Sequence, residues 1–179
     1  MEKTTLIASI LIVCYNEEKM IVDCLSSVLD QDVPRDSYEV IVVDNASKDR
    51  TVEIVRDQFP SVVLLTLETN IGYPAGMNKG LELAHAQRVI MLSADTLVPC
   101  GWLTALLQPM NEDPDVKVTH AAMIIPGDPG YEAALASRQT PPMAAYHEIS
   151  RLGLIEPHWD PTLPGGIPTP KRGLGTTLC

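Results

Sequence analysis

A chain of 179 residues with 45% hydrophobic and 20% charged residues has the make-up of one well-filled folded domain, which excludes a disordered or fibrous chain. The formal net charge of -10 argues against a nucleic-acid partner, whose binding is driven by Lys and Arg neutralising phosphates. An anionic ligand must therefore be held locally, by helix N-termini, a few basic side chains or a metal ion.

The first segment, Leu6–Cys14, is an apolar run that reads as a strand covered on both faces. It lacks the flanks and cleavage site of a signal peptide. No run reaches the roughly eighteen apolar residues of a membrane span, so no transmembrane segment is expected. Asn16 is placed to cap a helix with Glu17 and Glu18 in its first turn. Met20, Ile21, Cys24, Leu25, Val28 and Leu29 recur at spacings of three and four along it, which predicts one buried stripe.

The pattern then repeats. Glu39–Asp44 is a second strand, with Ser47 or Asp49 as cap for a helix over Asp49–Phe59 that Pro60 ends. Val62–Leu67 and Pro74–Ala86 give a third strand and helix, Arg88–Leu92 and Gly101–Met110 a fourth pair. Val116–Ile125 supplies a fifth strand. Alternation with short loops implies a mostly parallel sheet flanked by helices, with right-handed crossovers. In such sheets ligands sit beyond the carboxyl ends of the strands. The loops to inspect are Tyr15–Glu18, Asp44–Thr51, Asn70–Gly80 and Ser93–Pro99.

Nine of the fifteen prolines lie after Ile125, and the periodicity weakens there. Short helices are expected at Glu132–Arg138 and Ala144–Leu152, a loop over Glu156–Gly175, and the start of a strand at Leu174–Cys179. The expected division is a ligand-binding α/β domain over residues 1–125 and an incomplete, Pro-rich region over 126–179. Cys14, Cys24, Cys100 and Cys179 are scattered, without a CxxC pair, which disfavours zinc and fits a reduced, cytoplasmic compartment.

Taken alone, each loop is ambiguous. Asp44 at a strand end is placed to accept from a nucleobase NH, or to brace a turn. Gly72 and Gly76 allow close approach of a ligand, unusual backbone angles or simple packing, and the helix start behind them suits a phosphate. The segment is neither a dinucleotide fingerprint nor a P-loop. Asp95 suits a hard cation that keeps its waters, or caps the turn before Pro99.

In this order the blocks resemble family 2 glycosyltransferases of the GT-A fold. They are Ile12-Val13-Cys14-Tyr15-Asn16-Glu17, Val42-Val43-Asp44-Asn45-Ala46-Ser47-Lys48-Asp49-Arg50-Thr51, Asn70-Ile71-Gly72 with Asn78-Lys79-Gly80, and Leu92-Ser93-Ala94-Asp95-Thr96 with Pro99-Cys100-Gly101-Trp102-Leu103. The third block and the Pro-x-Gly-Trp-Leu ending resemble the rhamnosyltransferase-like branch. The resemblance implies an inverting transfer from a nucleoside-diphosphate sugar to a saccharide, lipid-linked or protein acceptor, with association at the cytoplasmic face of a membrane through parts outside this chain.

It further implies site residues. Cys14, Tyr15, Asn16, Glu17, Asp44 and Asn45 would surround the nucleoside, with Asp44 on the base. Asn70, Gly72, Asn78, Ser93 and Ala94 would border the nucleotide and its sugar. Asp95 would be the last acid of a DxD motif holding Mg²⁺ or Mn²⁺ against the diphosphate. Ser93 stands where the motif's first acid is expected. The general base is expected beyond Cys179, since Asp128, Glu132, Glu148, Glu156 and Asp160 lie outside its usual context.

Two other classes compete. A non-catalytic nucleotide-binding module would bind without turnover. A receiver-like signalling domain would need a phosphorylatable Asp after the third strand and a Lys after the fifth; Leu67-Glu68-Thr69-Asn70 supplies no such Asp. His120, His147, His158 and Trp159 are read as solvated or packing side chains rather than as catalysts.

Overall fold

The computed structural model describes residues 5–121, 144–149 and 155–158. The chain divides into two compact units, one up to Cys100 and one from Gly101.

The first unit contains β1 (Ala8–Cys14), α1 (Ile21–Leu29), β2 (Tyr38–Asp44), α2 (Thr51–Gln58), β3 (Val63–Thr66), α3 (Tyr73–Leu81) and β4 (Val89–Ser93). Its sheet runs β3-β2-β1-β4 with every pairing parallel. Every residue of β1 is buried and β2 is nearly so, as expected for central strands covered on both faces. The outer strands β3 and β4 are partly exposed. Register aligns Cys14 with Asp44, Asp44 with Thr66 and Val13 with Ser93, so the strands finish along one edge.

Side chains alternate between the two faces. Leu11, Val13, Ile41 and Val43 form a core with Met77 of α3. On the opposite face, the Tyr38 hydroxyl donates to the Val28 carbonyl at 3.1 Å, fastening β2 to α1. Glycine lets α3 lie close to the sheet. A Cβ at Gly80 would fall 2.0 Å from Leu11 Cδ1, and one at Gly76 would fall 3.0 Å from Val13 Cγ1. These two glycines, one turn apart, admit strand side chains against the helix backbone.

At the opposite, amino end of the sheet, Glu39 accepts from the Ser9 hydroxyl at 2.5 Å, from the His85 N–H at 2.6 Å, and pairs with the His85 ring at 3.0 Å. Burial works to raise the Glu39 carboxyl, but these bonds and the His85 charge outweigh it and hold its pKa below the ordinary 4.5. These bonds tie the starts of β1 and β2 to the segment that leads into β4.

The second unit contains α4 (Trp102–Glu112), β5 (Val118–Ala121), β6 (Ala144–Ile149) and β7 (Ile155–His158), with β5-β6-β7 antiparallel. The Thr119 hydroxyl donates to the Leu106 carbonyl at 2.8 Å, joining β5 to α4. Gly101, at φ 86, sets the entry to α4.

The alternation of strands and helices and the parallel sense of the first unit's sheet follow the sequence reading, with differences at element ends. The third helix stops at Leu81 rather than Ala86. Two expectations fail in the second unit. Ala144–Ile149, read as the start of a helix, is a strand paired on both sides. Ile155–His158 is an edge strand where a loop was expected from Glu156, with Pro157 opposite His147. An edge position tolerates proline because one side of the strand needs no ladder donor. Residues 122–125 of the expected fifth strand, Glu132–Arg138 and Leu174–Cys179 lie outside the described residues.

Candidate functional site

The loops after β1 and β2 are stapled together. The N–H groups of Asn16, Glu17 and Glu18 donate to Ser47 Oγ at 2.9 Å, Thr51 Oγ1 at 2.9 Å and Asp49 Oδ2 at 3.0 Å. Two bonds return, from the Lys48 N–H to Asn16 Oδ1 at 2.7 Å and from the Arg50 N–H to Glu18 Oε2 at 3.1 Å.

This exchange overturns the expected capping. Asn16 sits at φ 59 with its side-chain oxygen given to the next loop, and α1 begins only at Ile21, behind Met20 and without a side-chain cap. Ser47 likewise serves Asn16 rather than α2. Asp49 instead accepts from the Thr51 N–H at 3.0 Å and hydroxyl at 2.5 Å. Burial pushes the Asp49 pKa up, but the donors from Thr51 and Glu18 prevail and hold it below the ordinary 3.8.

Asp44 ends β2 at 2% exposure. Its Oδ2 accepts from the Ser47 N–H at 3.0 Å, while Oδ1 faces the Cys14 thiol at 3.8 Å, a weak donor. A buried carboxylate with that much acceptor capacity left is suited to an N–H of a ligand. Burial, reinforced by the Asp44 charge, drives the Cys14 pKa far upward, so this sulfur is a neutral thiol and no nucleophile. Tyr15 stands next along the chain with 45% of its surface exposed.

Asn45, 3% exposed, has both ends of its amide engaged. Its Nδ2 donates to Asn70 Oδ1 at 3.0 Å and its Oδ1 accepts from the Ile71 N–H at 2.9 Å. Asn70 Oδ1 also takes the Gly72 N–H at 2.9 Å. The two asparagines thus fix the approach to α3, where Gly72 adopts φ 83, an angle costly for any residue with a Cβ. Asn78 is exposed on α3 itself.

After β4, Ser93 and Asp95 are exposed and Ala94 between them is buried. The Thr96 N–H closes the turn onto the Ser93 carbonyl at 3.2 Å. The charge of Asp95 reaches two other loops. Glu17 has its carboxyl pKa raised by burial and then by Asp95 and Asp49; the Tyr73 phenol is raised by burial and then by Asp95. Sequence reasoning passed over Tyr73, although an exposed aromatic between a turn glycine and Pro74 at a helix start was a readable signal. It also passed over Thr51, which carries the bond from Glu17.

No group of three His, Cys, Asp or Glu side chains suited to a metal is present among the described residues, so these residues alone do not make a closed metal site. The donors fit a different arrangement. Asp95 is open, Glu17 lies within reach of its charge, and Mg²⁺ or Mn²⁺ usually binds through one or two carboxylates, several waters and a ligand's phosphates. A cation here would serve as a Lewis acid between Asp95 and a diphosphate.

A parallel sheet in this order, with an acid after β2 and another after β4 along one edge, is the GT-A architecture. Solved structures agree. Mannosyltransferase PcManGT from Pyrobaculum calidifontis, in complex with GDP-Man and Mn²⁺, aligns with a TM-score of 0.60 and 29% identity over 69% of this chain and 37% of its own. TarS of Staphylococcus aureus in complex with UDP-GlcNAc aligns at 0.57 with 32% identity over 62% of this chain and 33% of its own.

Residues 9–158 match the profile of Glycosyl transferase family 2, and the chain belongs to that family. A poly-beta-1,6-N-acetyl-D-glucosamine synthase of Staphylococcus epidermidis is 36% identical over 92 residues, covering 50% of this chain and 22% of the relative. Glycosyltransferase AglE of Haloferax volcanii is 34% identical over 106 residues, 58% of this chain and 35% of the relative. The chain therefore spans about a fifth to a third of these relatives' lengths. Among the described residues no helix is long and apolar enough to cross a membrane.

Proposed function

We propose that this chain forms the donor-binding part of an inverting glycosyltransferase, one that moves a sugar from a nucleoside diphosphate to a saccharide, lipid-linked or protein acceptor. The observation that carries this reading is Asp44, a buried carboxylate at the sheet's open edge with one oxygen held by Ser47 and the other turned to a weak thiol donor. A nucleobase N–H is the natural partner for that second oxygen. Tyr15 and Glu17 would flank the nucleoside, Gly72 and Asn78 the sugar, and Asp95 a Mg²⁺ or Mn²⁺ ion on the diphosphate. PcManGT with GDP-Man and Mn²⁺ and TarS with UDP-GlcNAc support the ligand class.

Asn16 and Asn45 hold a different place in the proposal. Their amide oxygens serve the neighbouring loops, so their contribution to the donor is to fix the backbone around it. The donor part is taken to run to residue 125, with 126–179 opening the acceptor side. The rhamnosyltransferase-like branch is favoured by the third block and by Pro99-Cys100-Gly101-Trp102-Leu103; it predicts that a nucleoside-diphospho-rhamnose competes better than UDP-GlcNAc. The cytoplasm, or the cytoplasmic face of a membrane when the acceptor is lipid-linked, is the proposed location.

The test is a thermal-shift titration of the full chain with UDP, GDP and dTDP, with and without Mn²⁺. Ligand at about a hundred times its Kd stabilises by roughly 2.7 kcal/mol, a shift of several degrees. The expected result is a shift with one nucleotide, enlarged by the metal and abolished in Asp44→Ala. A folded sample that responds to none of the three would overturn the reading.

A further inference from the structure

The loop that carries Asp95 is held from behind by a polar strip on α1. Cys24 and Ser27 lie three residues apart, and Gln31 extends the same line just past the helix end. The Cys24 thiol points to the Ser93 carbonyl at 3.7 Å, where the loop begins. The Ser27 hydroxyl accepts from the Val98 N–H at 3.1 Å while donating to the Cys24 carbonyl at 2.8 Å. The Gln31 amide donates to the Pro99 carbonyl at 3.2 Å and to the Ser27 carbonyl at 2.9 Å.

Between these fastenings the loop alternates. Ala94 and Val98 are buried at 2% and 8% exposure, whereas Ser93, Asp95 and Leu97 face outward. Asp95 is thus displayed between two anchored points. We propose that Cys24, Ser27 and Gln31 are positioning residues, which set Asp95 at the depth and angle that a diphosphate-bound cation requires.

The reason lies in Ser93. A DxD motif with two acids tolerates some misplacement, because either carboxylate can adjust to the ion. With serine in the first place, Asp95 is the only acid of the motif, and an octahedral ion accepts little error in its ligands. Rigidity in the loop then takes the place of the missing ligand. The proposal rests on the donor-site reading, so its test includes one arm that needs no ligand.

Three full-length chains suffice: wild type, Ser27→Ala and Ser27→Thr. In the ligand-free proteins, hydrogen exchange is followed at Val98 and across residues 93–99. The Ser27→Ala chain should exchange about fivefold faster or more there, the scale of one lost hydrogen bond, with the loop over residues 44–51 unchanged. In the second arm, the affinity of the nucleotide selected above is measured with and without Mn²⁺. Ser27→Ala should lose about fivefold of the gain that Mn²⁺ confers, keep the metal-free affinity, and be rescued by Ser27→Thr, which retains the hydroxyl.

Equal loss of metal-free and Mn²⁺-dependent affinity would overturn the proposal, as it would mark a general packing defect. Faster exchange with an intact Mn²⁺ gain would also overturn it. If the wild type binds no nucleotide, the donor-site reading falls and the link to a cation falls with it, while unchanged exchange in Ser27→Ala would reject the clamp by itself.

Discussion

Two loops at the same edge of the sheet each carry an aspartate followed closely by a threonine, and they use them in opposite ways. In the loop after β2, Asp49 turns inward to the N–H groups of Glu18 and Thr51. In the loop after β4, Asp95 is exposed, and the fastening is done by α1 behind it. The first loop is braced by its own side chains, and the second is braced from outside, which leaves its acid available. Residue type in a motif therefore does not separate an acid that braces from one left open; the bonds its carboxylate already accepts do.

That contrast fails or sharpens with measurement. The largest effect is expected from Asp49→Ala, which removes the acceptor for Glu18 and for both donors of Thr51. Stability should drop by about 2 kcal/mol, read as a fall in the denaturant midpoint at constant m-value. A fully stable Asp49→Ala chain with weakened nucleotide binding would make Asp49 a ligand and break the comparison.

Asn45→Ala comes next, at about 1–2 kcal/mol, since it strands the Ile71 N–H without its buried acceptor. Nucleotide affinity should fall with it, because the approach to α3 is no longer fixed. Asp95→Asn should do the reverse, leaving stability within about 0.5 kcal/mol while the Mn²⁺-dependent gain in nucleotide affinity, measured by titration calorimetry, disappears.

The smallest effect is on the acid side. The folded-state pKa of Asp49 lies below the ordinary 3.8, so its contribution is fully present above that value and is lost as pH falls through the folded value. An Asp49→Asn chain should show a shallower decline of melting temperature in that window than the wild type.

Much of the first unit was legible because its cause is local. Continuous apolar runs gave the buried strands, glycine and proline marked the turns, and spacings of three and four gave the stripe of α1, of which Ile21, Cys24, Leu25 and Val28 are buried while Met20 remains 37% exposed. The starts of α1 and α2 were misread because their candidate caps had distant competitors. Asn16 pairs with Lys48, 32 residues away, and no periodicity reveals such a partner. β6 was misread for a related reason: Ala144–Ile149 becomes a strand through β5 and β7, and its own pattern of Ala, Tyr, His, Glu and Ile decides little. In the site, the acids at the strand ends were visible in the sequence. Which amides were already engaged, and which α1 side chains stand behind Asp95, required coordinates.

The placement of the cysteines makes the Ser93–Pro99 loop open to spectroscopy. Cys14 and Cys24 are buried, whereas Cys100 is exposed, immediately after Pro99, where Gln31 fastens the loop. Burial raises the Cys24 pKa to about 12, so at neutral pH an alkylating dye meets a protected thiol there and an accessible one at Cys100. In a Cys179→Ser chain, a fluorophore attached at Cys100 would sit beside the fastening of the acid-bearing loop, and its anisotropy would report how firmly that loop is held.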